Sequence, residues 1–168
     1  MDAIMWVVSH DLFIYPFIFL FLFWQFKTSS PKRAIVMVLG IGFCVATADL
    51  STNIVKHKVQ RYRPSHNLEL MQQVHTVNDY HGGQFGFFSS HAANSFAVVT
   101  LFFLAAKAQI SKRARYLFYL LPLTIIYSRI YLGVHYPSDV MVGALWGILI
   151  GWLVFTLLTR FFFKEQKP

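Results

Sequence analysis

Long uncharged runs separated by short charged stretches organise this chain. Residues 12–26 carry no charge, 34–55 are interrupted only by Asp49, 92–106 are uncharged, 116–134 carry Arg129 near their end, and 140–159 are again uncharged. A helix needs about 20 apolar residues to cross about 30 Å of hydrocarbon. The five runs therefore predict an all-α, polytopic membrane bundle of about five transmembrane helices, built as one domain over residues 1–168. The first run reaches spanning length by borrowing from Met5 onward, across His10 and Asp11. No Lys or Arg precedes it and no small-x-small cleavage site follows it, so it reads as a retained span rather than a signal peptide.

Composition sharpens this picture. The 168 residues are 56% hydrophobic, 18% aromatic and 13% charged, against roughly 25% charged in average soluble proteins. Disorder and coiled coil are excluded. The net charge of +8 would suit nucleic acid only if the cations clustered on a soluble surface. They punctuate apolar runs instead, so no nucleic-acid partner is expected and the charge reads as topological. Lys27, Lys32, Arg33, Lys107, Lys112, Arg113, Arg115, Arg160, Lys164 and Lys167 fall on one side of a five-span arrangement, ten of the fifteen Lys and Arg residues. By the positive-inside rule that side is cytoplasmic, and both long polar connections face outward. Cys44 is the single cysteine, which precludes an intrachain disulfide or a zinc ribbon.

Within the spans, Gly143, Gly147 and Gly151 repeat at four-residue intervals, a small-residue stripe that admits a second helix at close range. Trp6, Trp24 and Trp152 suit interfacial anchors or lipid contacts. Between the second and third runs, Leu68, Met71, Val74 and Val77 at near-helical spacing predict a short interfacial helix, ended by Gly82-Gly83. His66, His75 and His81 on the same connection have no ligand-like spacing and read as solvated side chains.

Charges kept at a membrane edge are costly and usually functional. Three such clusters occur: Lys56 to Pro64, with Arg61 and Arg63; Phe88-Ser89-Ser90-His91; and Ser128-Arg129 followed by His135 and Asp139. Alternation of spans brings all three to the same face. Any one of these cations taken alone is ordinarily a snorkelling anchor, and a serine pair at a helix start is ordinarily a cap. Their coincidence on one face, with no histidine at the other, favours a shared site.

Lys56, Arg63 and Arg129 supply positive charge, and two of the three are guanidinium forks matched to phosphate oxygens. Ser89 and Ser90 add hydroxyls and free amides where a helix begins. A phosphate dianion fits this set. Asp139, four residues after His135, accepts the proton of one ring nitrogen and leaves the other as nucleophile or base. His91 is positioned to give a proton to a leaving oxygen. Asp49 and Asn53, one turn apart ahead of Lys56, serve either as a supporting layer for the site or, for Asp49, as an interhelical hydrogen bond.

These residues resemble the type 2 phosphatidic acid phosphatases, the PAP2 superfamily of lipid phosphatases and vanadium-dependent haloperoxidases. The family pattern is Lys-x6-Arg-Pro, then Pro-Ser-Gly-His, then Ser-Arg-x5-His-x3-Asp. Lys56 to Arg63-Pro64 fits the first and Ser128-Arg129 to His135 to Asp139 fits the third. In the second, Phe88 stands for proline and Ser90 for glycine, while Ser89 and His91 are retained. The resemblance implies a phosphohistidine mechanism with His135 as nucleophile oriented by Asp139 and His91 as general acid. It implies Lys56, Arg63, Ser89 and Arg129 as phosphate ligands, with the Ser90 amide in the place of a glycine amide. No metal or cofactor is expected, because the cations supply the charge that magnesium supplies elsewhere.

The expected activity is hydrolysis of a phosphate or diphosphate monoester on an amphiphilic lipid, such as the lipid A 1-phosphate, undecaprenyl diphosphate or phosphatidylglycerol phosphate known as substrates in that family. The expected setting is the bacterial inner membrane with the site facing outward, surrounded by membrane lipids and with no obligate protein partner. Two alternatives stay open: phosphotransfer to a lipid alcohol through the same intermediate, and a non-catalytic lipid or anion transporter.

Overall fold

A computed structural model describes residues 1–163. Among them no strand forms, and a single antiparallel bridge pairs Tyr62 with Phe85. Seven α-helices follow one another: α1 (Asp2–Ser9), α2 (Tyr15–Thr28), α3 (Pro31–Val59), α4 (Ser90–Ala105), α5 (Lys112–Tyr116), α6 (Leu120–Tyr131) and α7 (Pro137–Phe161). Lys164 and Lys167, counted above among the cytoplasmic cations, lie outside the described residues.

Starts and stops follow local chemistry. Ser30 caps α3 by accepting from the Arg33 amide at 3.3 Å, with Pro31 in the first helical position, where a missing N–H costs nothing. Gln60 ends α3 in the left-handed region, φ 51°. Tyr136 caps α7, again with proline next, and the Asp139 side chain returns to the Tyr136 amide, a reciprocal capping arrangement.

Four helical segments are long and apolar enough to cross a membrane: Asp11–Thr28, Pro31–Val59, Ser90–Ala108 and Pro137–Phe161. The fourth expected span, residues 116–134, starts on the last residue of α5, passes a 3-10 turn at Leu117–Tyr119 and continues as the 12-residue α6, with residues 132–134 outside the helix. Pro122 lies inside that stretch and has no N–H to give to the preceding turn. The first expected span also differs. His10 turns out of helix with ψ 139°, so residues from Met5 to Ser9 belong to the separate α1, which packs on α6. The expected interfacial helix does not form either. The connection holds a 3-10 turn at Pro64–His66 and a series of turns across residues 68–73. Leu68 is 87% exposed there, so the apolar spacing does not close a continuous buried face.

The centre of the bundle is α4, buried along most of its length and gripped by α3 on one side and α7 on another. A Cβ added at Gly143 would stand 2.6 Å from the Ser89 carbonyl oxygen, and one at Gly147 or Gly151 would strike the carbonyls of Ala93 or Ala97. The glycine stripe is thus the groove into which α4 is laid, which fixes the start of α4 against the start of α7. Phe21 and Phe102 stack at 3.7 Å to hold α2 on the same core. Gly147→Ala is expected to cost about 1–3 kcal/mol by overpacking, measured as a lowered thermal midpoint of the detergent-solubilised protein.

Candidate active site

The end of α3, the start of α4, the end of α6 and the start of α7 meet at one end of the bundle. Lys56, in the last turn of α3, donates to Ser90 Oγ at 2.6 Å, and Thr52 Oγ1 shares that hydroxyl at 2.8 Å. The Ser89 amide donates to the Asp139 carbonyl at 3.1 Å, tying α4 to α7. Ser89 Oγ caps α4 through the Ala92 amide, leaving the Ser90 and His91 amides without a hydrogen-bond partner among the described residues.

Asp139 is fully buried. Its Oδ2 accepts from the Tyr136 amide at 3.0 Å and faces His135 Nδ1 at 3.4 Å, and its Oδ1 accepts from Arg61 at 2.9 Å. Arg61 also reaches Ser138 Oγ and lies over the Tyr136 ring, 4.1 Å from its centroid. With Nδ1–H aimed at Asp139, Nε2 of His135 carries the free lone pair. Burial is the main reason the His135 imidazole is pushed down to about 3; Asp139 opposes the shift, and Arg63 and Arg129 add to it. The ring is therefore neutral at physiological pH.

Arg63 reaches inward from the connection, donating to the Phe85 carbonyl at 3.3 Å and the Val134 carbonyl at 3.4 Å. Burial, then the neighbouring Arg129, lowers its guanidinium to about 10, so it stays charged at neutral pH. Gly86 makes this approach possible: a Cβ there would stand 3.0 Å from Arg63 Cγ and 3.2 Å from Asp139 Oδ2. Arg129, 2% exposed, donates to the side chain and carbonyl of Ser9 and to the Tyr80 hydroxyl. Its Nε is buried without a partner.

His91, one residue into α4, has Nε2 2.9 Å from Asp11 Oδ1. It lines two cavities. One, of about 310 Å³, also touches Arg129 and Tyr80; the other, of about 350 Å³, runs past Ser90, Asp49 and Asn94. The second shares Ile14 and Val98 with an apolar groove of about 540 Å³ bounded by Phe17, Trp24, Phe102, Leu117 and Leu121. A path of side chains therefore leads from lipid-facing aromatic surface to His91 and Arg129.

All eight residues singled out in the sequence lie at this end: Lys56, Arg63, Ser89, Ser90, His91, Arg129, His135 and Asp139. Asp49 accepts from Asn94 at 2.8 Å, an interhelical bond, and lines the same cavity as Ser90 and His91. The Asn53 side chain makes no hydrogen bond among the described residues. Sequence reasoning passed over Thr52 and the roles of Arg61, Ser9, Asp11 and Tyr80. For Arg61 the clue was an arginine two positions from Arg63. For Ser9 and Asp11 no local pattern marks them.

The fold and this cluster define a multi-pass membrane helical protein with a histidine–carboxylate pair set among buried guanidinium groups. The family model described as the PAP2 superfamily matches residues 37–163, and the chain belongs to that family. It is 32% identical over 136 residues to the lipid A 4'-phosphatase of Porphyromonas gingivalis, covering 80% of this chain and 56% of that one. It is 34% identical over 144 residues to the lipid A 4'-phosphatase of Bacteroides thetaiotaomicron, covering 84% and 62%. This chain thus spans somewhat over half the length of these relatives. A solved transmembrane PAP2-type phosphatidylglycerolphosphate phosphatase from Bacillus subtilis shares the fold with a TM-score of 0.72, at 21% identity, over 98% of this chain and 79% of that one.

The His135 shift sets a pH signature. Between about pH 6.5, the ordinary histidine value, and about 3, the unfolded state binds a proton that the folded His135 refuses. Stability is full above that window and falls as pH drops through it. The thermal midpoint is expected to decline from pH 6.5 toward 4, and His135→Asn to flatten that decline.

Proposed function

We propose that this protein is a lipid phosphatase that hydrolyses a phosphate or diphosphate monoester of an amphiphilic lipid through a phosphohistidine intermediate. The carrying observation is a buried, neutral imidazole aimed by a carboxylate and standing among buried guanidinium groups, one of which keeps an unsatisfied donor. A structural ion pair does not need a neutral histidine there; a nucleophile does.

In this reading His135 Nε2 attacks phosphorus in line. The bond to the ester oxygen breaks with its electron pair, His91 gives that oxygen its proton, and the lipid alcohol leaves. A water then attacks the phosphohistidine, passing a proton back to His91 while the His135 nitrogen departs with its electron pair. Lys56, Arg63 and Arg129, with the free amides of Ser90 and His91, hold the equatorial oxygens as charge spreads over them. Ser90, in place of a glycine, contributes its amide to phosphate and spends its hydroxyl on orienting Lys56.

The apolar groove supports a substrate whose chains stay in the bilayer while the head group reaches His91. The names of the relatives make lipid A phosphates the first substrates to test. The positive-inside count supports a site on the outer face of the bacterial inner membrane. Phosphotransfer to a lipid alcohol shares every step but the last, and release of inorganic phosphate rather than labelled lipid separates the two.

Purified protein in detergent is expected to release phosphate from lipid phosphomonoesters. His135→Ala is expected to abolish turnover, and His91→Ala to lower kcat about 10²–10⁴-fold, the usual worth of a positioned acid. Undiminished release in His135→Ala would remove the nucleophile from this scheme. Activity is also expected to survive EDTA, since the cations carry the charge stabilisation, and to be inhibited by vanadate. Loss in EDTA with recovery on adding magnesium would point to a different mechanism.

A further inference from the structure

We infer that Asp11 is a positioning residue for His91, holding the ring through Nε2 with Nδ1 turned to the leaving-group side, an inference that rests on the phosphatase reading above. Asp11 lies outside residues 37–163, the stretch matched by the family model. The amino-terminal segment is nevertheless fastened to the site at several points. Asp2 accepts from the Tyr131 hydroxyl at 2.6 Å and contacts His75 Nε2 at 3.1 Å, Trp6 meets the Tyr80 ring edge-on at 5.4 Å, and Ser9 receives Arg129. α1 then ends at His10, whose extended backbone starts the 3-10 turn Asp11–Ile14. That turn delivers Asp11 Oδ1 to 2.9 Å from His91 Nε2.

Charge explains why a carboxylate belongs there. A general acid must hold its proton until the ester bond breaks, yet Arg129 stands across the same cavity, Arg63 lies nearby, and Lys56 is bonded to the adjacent Ser90. Like charges crowd this histidine, and a carboxylate is the group that offsets them. The other titratable groups lining the two cavities around His91 are His10, Tyr15, Tyr80 and Asp49. The Asp49 carboxylate already accepts from Asn94, which leaves Asp11 as the anion paired with His91 among the described residues. With Nε2 held by Asp11, Nδ1, which has no protein hydrogen bond among the described residues, is the nitrogen available to the leaving oxygen. The proton moves from Nδ1 to that oxygen as the bond to phosphorus breaks, and the ring ends neutral, still anchored through Nε2–H.

The test compares Asp11→Asn and Asp11→Glu on two substrates: a lipid phosphomonoester with an alkyl alcohol leaving group, and p-nitrophenyl phosphate, whose phenolate departs without a proton. Asp11→Asn is expected to lower kcat on the lipid about tenfold with KM within about twofold, and to change p-nitrophenyl phosphate turnover less than about threefold. Asp11→Glu should recover part of the loss. In a His91→Ala background Asp11→Asn should add nothing further. Equal losses on both substrates, or a full further loss in the His91→Ala background, would overturn the role. A second readout needs no turnover: the NMR titration midpoint of the labelled His91 ring in micelles should fall by about one pH unit in Asp11→Asn, the lower end of a facing-carboxylate effect because the Asp11 side chain is largely exposed. An unchanged midpoint overturns the inference by itself. A shifted midpoint in a wild-type protein that releases no phosphate would leave the pair standing and sink the phosphatase reading instead.

Discussion

A carboxylate with no solvent exposure holds this end of the bundle together. Asp139 must be satisfied inside the protein, because an unpaired buried charge is far more costly than a broken surface pair. Arg61, the Tyr136 amide and His135 satisfy it, and its own carbonyl receives the Ser89 amide. One residue thereby fixes the connection carrying Arg61 and Arg63, the tautomer of His135, the cap of α7 and the start of α4. Removing the carboxylate would strand Arg61 and release His135 together, so structure and chemistry are not separable at this position.

The cations obey a complementary constraint. Arg63 and Arg129 are buried, near enough for each to act on His135, and their fixed partners are mostly neutral: the Phe85, Val134 and Ser9 carbonyls and the Tyr80 and Ser9 hydroxyls. Carbonyl and hydroxyl oxygens hold a guanidinium in place without neutralising it. The positive field is thus conserved for an incoming anion, and it adds to the burial that keeps His135 unprotonated. One arrangement of charge thus leaves cations free to meet an anion and a neutral imidazole beside them.

Much of this was readable along the chain because both signals are local. The runs at 34–55, 92–106 and 140–159 are dominated by hydropathy, and each lies within a membrane-length helix. The spacings from Lys56 to Arg63 and from Arg129 to Asp139 are short enough for a turn or a helix end to carry the pairing. The segments that misled were decided by single residues or by burial. His10 breaks a hydropathy run that averages through it, Pro122 lies within a stretch that composition alone makes continuous, and Leu68 and Met71 have helical spacing but no surface to cover. Asp11 and Ser9 were invisible for another reason. Their partners, His91 and Arg129, are distant in sequence, and a lone serine or aspartate before an apolar run looks like an ordinary helix start.

That last failure shows where a shared scaffold leaves room for difference. The glycine stripe on α7 seats α4 so closely that its first turn has little freedom, and the Asp139 hub sets the distance to His135. Ring orientation at His91 is not determined by either contact, since its side chain lines the cavities and meets Asp11. The segment that lines those cavities therefore bears on how the ring is held. Here that segment is α1 and the turn after it, fastened through Tyr131, His75 and Tyr80 as well as through Arg129. The contacts to Tyr131, His75 and Tyr80 can change without touching the Asp139 hub, whereas the Ser9 contact ties the same segment to Arg129, so only part of it is free to vary.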